Sequence, residues 1–252
     1  MSEPFCNRDG KFVKNYRKYT QIMLLTETLV PVLDERFPDK KYCIGQDSDI
    51  YWRWDSDVPE RGAEALDWFL VVGVPPTLDG KARHSYVMWK EFIAPVIALE
   101  FVSGDGSEER DKTAFNGKFW IYEQALRIPF YGIYEVEKGV IEMCHLVDGT
   151  YRPMMPNEAG RYVIEPLGVQ LGIWHGVFLD LDLPWMRWWD AQGQLLPTSS
   201  ERAESAEADA KLFAEKLRQF KVSPEMLKNK TIKNKLKFRP RVRTPQQDAF
   251  GG

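Results

Sequence analysis

Length, composition and charge place this chain among globular proteins and exclude several other classes. Its 252 residues are 44% hydrophobic and 13% aromatic, which supplies enough apolar material for a core, either in one large domain or in one domain with extensions. The formal net charge of −3 gives the whole chain no attraction for nucleic acid. No apolar run approaches the ~20 residues of a membrane span, so we expect no membrane partner.

The cysteines and the start of the chain predict a cytoplasmic protein. Cys6, Cys43 and Cys144 are odd in number and far apart, which argues against a disulfide framework and against a zinc site. Unpaired cysteines are typical of a reducing compartment. The first residues, Met1 to Phe5, lack the basic and apolar regions of a signal peptide.

The first part of the chain predicts an arm, a helix and two short strands. Residues 1–17 are polar, and we expect a mobile arm. Thr20 to Phe37 has the pattern of an amphipathic helix, with core residues Met23, Leu24, Leu29 and Leu33. Glu27 lies on or beside that face and is a candidate additional acid, although a solvated helix glutamate is the more common situation. Two strands, Lys41–Ile44 and Asp49–Trp52, are predicted to follow, joined by a polar turn.

Two apolar runs carry acidic residues and predict the central strands. Leu66–Gly73 and Val96–Val102 are typical of strands buried on both faces. Asp67 lies at the entrance of the first run, where an acid is often only a turn residue. Glu100 lies inside the second run. Because an ionised carboxylate is costly to bury alone, Glu100 needs a cationic partner, in a structural ion pair or in a functional site.

A lysine on the apolar face of the next predicted helix offers that partner. The helix spans Ala114–Leu126, and its core-facing stripe contains Phe115, Phe119, Tyr122 and Leu126. Lys118 lies on the same stripe, so its amine must reach solvent or meet an acid. Gly117 would let the helix approach a strand closely. Since the helix follows the Glu100 strand, we predict that Lys118 reaches Glu100.

Two carboxylates and one amine on buried elements indicate metal-dependent phosphodiester chemistry. Carboxylate oxygens suit hard divalent cations such as Mg²⁺ or Mn²⁺. A bound cation can polarise a phosphoryl oxygen and acidify a water molecule. A nearby ammonium can orient that water or neutralise developing charge.

The same residues resemble the Uma-two family of restriction endonucleases, in the PD-(D/E)XK nuclease superfamily. The resemblance covers roughly Lys18 to Lys221. It is carried by the segments Ala65–Gly73, Ala94–Ser103, Arg110–Asp111 and Gly117–Lys118, by Tyr122, and by Ile128–Tyr134.

The resemblance implies a site and a cofactor. The motif aspartate falls on Asp67 and the motif glutamate on Glu100, as ligands of Mg²⁺ or Mn²⁺. The superfamily lysine usually follows two residues after the glutamate, where this chain has Val102, and the displaced lysine of Uma-type proteins matches Lys118. Leu66 replaces the usual proline before the aspartate. The acid that the superfamily often carries on its first helix would be Glu27.

The C-terminal part predicts a helix and a basic, partly disordered tail. Residues 201–222 have a narrow apolar stripe typical of a docking helix. In the tail, 223–252, eight basic residues occur without an acid between positions 228 and 243, which suits DNA-backbone contact, although a solvated tail is common. They are Lys228, Lys230, Lys233, Lys235, Lys237, Arg239, Arg241 and Arg243.

Together these patterns predict an α/β, restriction-endonuclease-like domain at 18–200, with a mixed central sheet flanked by helices. The first hypothesis is a metal-dependent DNA endonuclease that leaves 5′-phosphate and 3′-hydroxyl ends, with DNA as its partner. We expect a homodimer because cutting both strands requires two sites. The alternative is a nuclease-like DNA-binding or oligomeric scaffold without hydrolysis. A third hypothesis is hydrolysis of a small phosphodiester.

Overall fold

The structure is a computed structural model that describes residues 16–54, 62–102, 104–136 and 138–219. The predicted arm lies outside the described residues, except that Tyr16 and Arg17 begin the first helix. The basic tail also lies outside them. The chain divides into two compact units, Met1–Ser199 and Ser200–Gly252.

The helices and strands follow one another in a mixed α/β order. The helices are α1 (Tyr16–Arg36), α2 (Met88–Glu91), α3 (Lys118–Trp120), which continues as a π-helical turn (Ile121–Ala125), a 3₁₀ turn (Glu165–Leu167) and α4 (Ser199–Gln219). The strands are β1 (Tyr42–Tyr51), β2 (Ala63–Val72), β3 (Thr77–Leu78), β4 (Lys81–Ala82), β5 (Tyr86–Val87), β6 (Ile97–Phe101), β7 (Phe130–Glu135), β8 (Val140–Val147), β9 (Thr150–Pro153), β10 (Tyr162–Ile164), β11 (Val169–Phe178) and β12 (Leu181–Asp190). None of the helices in the described ranges combines the length and hydropathy that a membrane span requires.

A mixed sheet of seven strands is the centre of the first unit, as the sequence predicted. Its strand order is β5-β1-β2-β6-β7-β8-β9. The pairs β1–β5 and β6–β7 are parallel, and the other neighbours are antiparallel. Parallel neighbours need a crossover connection, and the segment between β6 and β7 carries α3. A second sheet has the order β10-β11-β12, and β3 pairs with β4.

The central sheet is covered on both faces, which explains its long apolar strands. On one face, Trp68 and Leu70 of β2 pack in a cluster with Leu25 and Leu29 of α1. On the other face, the cluster contains residues from β2, β6 and the α3 region, namely Phe69, Val71, Ala98, Phe119 and Tyr122. The alternation of residues along β2 therefore divides its side chains between two cores.

Polar contacts fix α1 to the strands beneath it. The buried amide of Gln21 donates to the carbonyl of Met186 at 2.8 Å and accepts from the backbone N–H of Met186 at 2.9 Å. The Trp188 indole donates to the carbonyl of Leu25 at 3.1 Å, and the Trp68 indole donates to the Thr26 hydroxyl at 2.9 Å. These bonds define the rotation and the position of α1.

Two predictions for the N-terminal part are wrong. Met23 is 43% exposed, whereas Leu24, Leu29 and Leu33 are buried as predicted. Met23 precedes the core residue Leu25 by two positions, about 200° of helical rotation, so it faces away. The two predicted strands at Lys41–Ile44 and Asp49–Trp52 form the single strand β1, because the polar residues between them pair along β2 instead of turning.

The predicted helix at Ala114–Leu126 begins later than expected. Residues 114–116 form a turn, Phe115 has a φ of 63°, and its side chain is 62% exposed. The helix begins at Lys118 and widens into the π-helical turn, while Phe119, Tyr122 and Leu126 are buried as predicted. Gly117 allows a close approach to the backbone of Asp111, and not the approach to a strand that was predicted. A Cβ there would lie 2.3 Å from the carbonyl oxygen of Asp111, not against a strand.

Replacing Gln21 tests how α1 is held. Gln21→Leu leaves the buried N–H and carbonyl of Met186 without their partner, so we expect a loss of about 2–4 kcal/mol in the free energy of unfolding. Urea denaturation followed by circular dichroism measures it. Tyr19→Phe, at a side chain that is 49% exposed, is the control and should change stability little. A Gln21→Leu protein as stable as the parent would contradict this role.

Candidate active site

The two predicted acids lie at the end of one strand ladder. The β2–β6 pairing runs from Leu70↔Ile97 to Trp68↔Leu99, and Asp67 and Glu100 come next on their strands. There the Asp67 carboxylate takes part in the hydrogen bonding, since its Oδ2 accepts the backbone N–H of Phe101 at 2.7 Å. Asp67 is 6% exposed and Glu100 is 1% exposed. The structure therefore brings both carboxylates together in a buried position.

The alternation of β2 shifts by one residue at Asp67. Phe69 and Val71 belong to the core on the α3 side, and so does Leu66, although an odd number of positions separates it from them. Strict alternation would place Leu66 on the opposite face. Asp67 lies at this shift, and its Oδ1 forms an ion pair with Lys18 of α1.

Lys118 lies at the start of α3, and its amine reaches Glu100 as predicted. The distance from Nζ to Glu100 Oε2 is 3.3 Å. The same nitrogen lies 3.2 Å from Glu108 Oε1 and 4.0 Å from Glu64 Oε1. Lys118 is therefore held by three carboxylates, and its side chain is only 15% exposed.

Tyr122 supplies the second partner of Glu100. Its buried hydroxyl donates to Glu100 Oε1 at 2.5 Å, while Lys118 occupies Oε2. Because Tyr122 follows Lys118 by four residues, both side chains lie on the same side of the helical segment. The sequence placed Tyr122 in the core without assigning this contact, and the four-residue spacing was the available signal.

Burial and crowding of charge perturb the acids and the amine. Burial raises the pKa of Glu100 to about 8, with a further rise from Asp67, and the opposing effects of Lys118 and Tyr122 are smaller. Burial also raises the pKa of Glu64 to about 7, against the effect of Lys118. Burial alone would lower the pKa of Lys118, but Glu100, Glu108 and Glu64 outweigh it and raise that pKa.

The donor set fits a hard divalent cation. Five carboxylates lie around two lysines and offer oxygen donors: Asp47 and Asp67 pair with Lys18, and Glu64, Glu100 and Glu108 pair with Lys118. Within the described residues, no group of three His, Cys, Asp or Glu side chains is placed to hold a metal by itself. Mg²⁺ in proteins commonly uses one or two carboxylates and keeps several waters.

Glu27, the candidate additional acid, does not join this group. Glu27 Oε2 accepts a hydrogen bond from the Ser199 hydroxyl at 2.9 Å. Glu27 also follows Lys18 by nine residues, about 13 Å along the helix axis. The side chain that α1 brings to the acids is Lys18, which the sequence did not indicate. The basic residues from Lys228 to Arg243 lie outside the described residues.

The raised pKa of Glu100 predicts a pH-dependent stability. Between about 4.5 and about 8 the folded protein holds a proton on Glu100 that the unfolded chain releases, so the free energy of unfolding falls as pH rises through this window. Glu100→Gln should remove much of that fall, and Glu64 should account for a remainder up to about 7. Urea denaturation from pH 5 to pH 8.5 measures the slope.

The control for this measurement is Glu207→Gln, at an exposed helix residue that pairs with Lys211. It should keep the slope of the parent. An unchanged slope in Glu100→Gln would show that Glu100 titrates normally.

Comparison with known proteins connects this geometry to a family. The family model Uma2, described as "putative restriction endonuclease", matches residues 21–184, more than half of the chain. Among solved structures, the chain is similar to a "putative nuclease belonging to DUF820" from Anabaena variabilis ATCC 29413, with 12% identity, coverage of 62% of this chain and 77% of that chain, and a TM-score of 0.39. No curated protein matches. On the extent of the family match, the chain belongs to the Uma2 (Uma-two) family.

Proposed function

We propose that the protein is a divalent-metal-dependent DNA endonuclease that hydrolyses phosphodiester bonds. The observation that carries the proposal is the contact between Lys118 Nζ and Glu100 Oε2, at the ladder end that also holds Asp67. Membership of a family described as "putative restriction endonuclease" supports the nucleolytic class. The proposal includes a homodimer, since cutting a duplex on both strands requires two sites.

Asp67 and Glu100 would hold Mg²⁺ or Mn²⁺, and waters would complete its coordination. When bound, the metal supplies polarisation of a phosphoryl oxygen and a water of lowered pKa. The Tyr122 hydroxyl positions the Glu100 carboxylate through its second oxygen. Glu100 must be ionised to act as a ligand, and a nearby divalent cation favours that ionised form.

Lys118 acts as a cation in this proposal and not as a base. Its raised pKa keeps the amine protonated at neutral pH. A protonated amine donates hydrogen bonds, so it can orient the attacking water and neutralise charge that develops on the phosphoryl oxygens. Val102, at the usual lysine position, packs against the core on the α3 side, so the start of α3 supplies the amine instead.

A second candidate function is a nuclease-like DNA-binding scaffold without hydrolysis. The observation that favours it is the pairing of both acids with lysines, Asp67 with Lys18 and Glu100 with Lys118. The Phe101 N–H and the Tyr122 hydroxyl satisfy the other oxygens. Such a site is internally balanced and could serve stability alone.

A cleavage assay separates the two functions. Supercoiled DNA is incubated with the protein and with Mg²⁺, Mn²⁺ or EDTA, and we expect nicking only with a metal. Lys118→Ala should lower the rate by about 10²-fold or more, the usual loss when a charge-stabilising donor is removed. Asp67→Asn and Glu100→Gln should abolish metal-dependent nicking.

Lys40→Ala is the matched control, because Lys40 pairs with Asp34 at an exposed position and should not affect cleavage. Full cleavage by Lys118→Ala would remove Lys118 from the mechanism. A parent protein that binds metal and DNA without cutting would favour the scaffold.

Deletion of the basic tail tests the contact with DNA. Removing residues 228–252 removes eight cationic side chains and should weaken DNA retention in a gel shift, with a smaller dependence on salt. Removing only residues 244–252, which contain no Lys or Arg, is the matched control and should leave retention unchanged. Equal retention by both deletions would place the DNA contact elsewhere.

A further inference from the structure

The first helix, α1, contributes a lysine and not an acid to the site, and this lysine, Lys18, contacts Asp67. Lys18 Nζ forms an ion pair with Asp67 Oδ1 and lies 3.3 Å from Asp47 Oδ1. The Lys18 side chain is 16% exposed, and that of Asp67 is 8% exposed. A pair so shielded from water is stronger than one at the surface. Lys18 also lies outside the residues 21–184 that the family model matches.

This contact lies on the Asp67 oxygen that is more available to a metal. Asp67 Oδ2 accepts the N–H of Phe101 as part of the strand ladder, which leaves Oδ1 as the oxygen turned away from the backbone. Lys18 takes Oδ1. A divalent cation and an ammonium at one carboxylate oxygen repel each other, so the two cations are competitors for Asp67.

The surroundings of the two lysines indicate which one can move. Lys118 is held by Glu64, Glu100 and Glu108, so it keeps carboxylate partners when a metal arrives. Within the described part of the chain, Lys18 pairs with one further carboxylate, that of Asp47, whose side chain is 26% exposed. A change in the Lys18 side-chain torsions could transfer its amine from Asp67 towards Asp47 and solvent without moving α1.

We propose that Lys18 is a built-in competitor of the metal: its amine neutralises Asp67 in the metal-free protein and must leave Oδ1 when a divalent cation binds. This inference rests on the proposed function, because it needs a metal at Asp67. Lys18 thereby lowers the metal affinity of the site and keeps the acids compensated when no metal is bound. It is a positioning residue and does not take part in the chemical step.

Calorimetric titration of the full chain with Mn²⁺ tests the proposal. Lys18→Met and Lys18→Gln should each lower the Kd for Mn²⁺ by at least about tenfold, since the competing charge is gone. Lys18→Arg keeps the charge and should bind Mn²⁺ like the parent. Lys40→Met removes a lysine from an exposed pair with Asp34 and is the matched control, with an unchanged Kd.

Thermal unfolding gives a second measurement that does not depend on activity. In EDTA, Lys18→Met should have a lower Tm than the parent, because Asp67 is left buried without its cation. Mn²⁺ should raise the Tm of Lys18→Met more than it raises that of the parent. If Lys18→Met does not fold, Lys18→Gln, which keeps a neutral polar side chain that is one bond shorter than lysine, gives the same comparison.

The outcomes distinguish the inference from the function on which it rests. Binding of Mn²⁺ by the parent, with equal or weaker binding by both neutral Lys18 variants, would overturn the competition and leave the metal-dependent function standing. Absence of Mn²⁺ binding in the parent and in every variant would overturn both. Tighter binding in Lys18→Met and Lys18→Gln alone would support the competition.

Discussion

The site depends on the compensation of two carboxylates that the central strands bury. Glu100 and Asp67 lie at the end of the β2–β6 ladder, where water screens their charges little. An uncompensated buried charge costs several kcal/mol, so the surrounding elements must supply partners. α1 provides Lys18 from one face of the sheet, and the α3 region provides Lys118 and Tyr122 from the other.

This requirement explains why the lysine can lie far from the glutamate in sequence. The amine has to reach Glu100 Oε2, and any element that ends near the carboxyl end of β6 can deliver it. The crossover between the parallel strands β6 and β7 passes this point, and Lys118 begins its helix. Val102 is then available for the core, where it adds to packing on the α3 side.

The contacts that stabilise the buried acids are also the contacts on which the proposed chemistry depends. With two lysines in place, the acids are compensated and the strands can stay buried. The five carboxylates that pair with these two lysines also present oxygen atoms, the donors that hard cations prefer. Lys18 takes part in both the stabilisation of the acids and the proposed metal binding, because its amine pairs with Asp67 Oδ1, an oxygen that a metal would use.

The sequence by itself determined the mixed α/β class, the two central strands, the approximate helix positions and the contact of Lys118 with Glu100. These follow from local periodicity and from the cost of burying a charged side chain without a partner. Tertiary structure decided the rest. Local patterns did not reveal the exposure of Met23 and Phe115, because they depend on helix rotation and on where a helix begins. Three features of the site arise only when α1, β2, β6 and α3 meet. They are the shift in alternation at Asp67, the hydrogen bond from the Tyr122 hydroxyl to Glu100, and the ion pair that Lys18 forms with Asp67, where an acid such as Glu27 was expected. Hydrophobic periodicity shows which face of an element is buried, but it does not show which polar group that face meets.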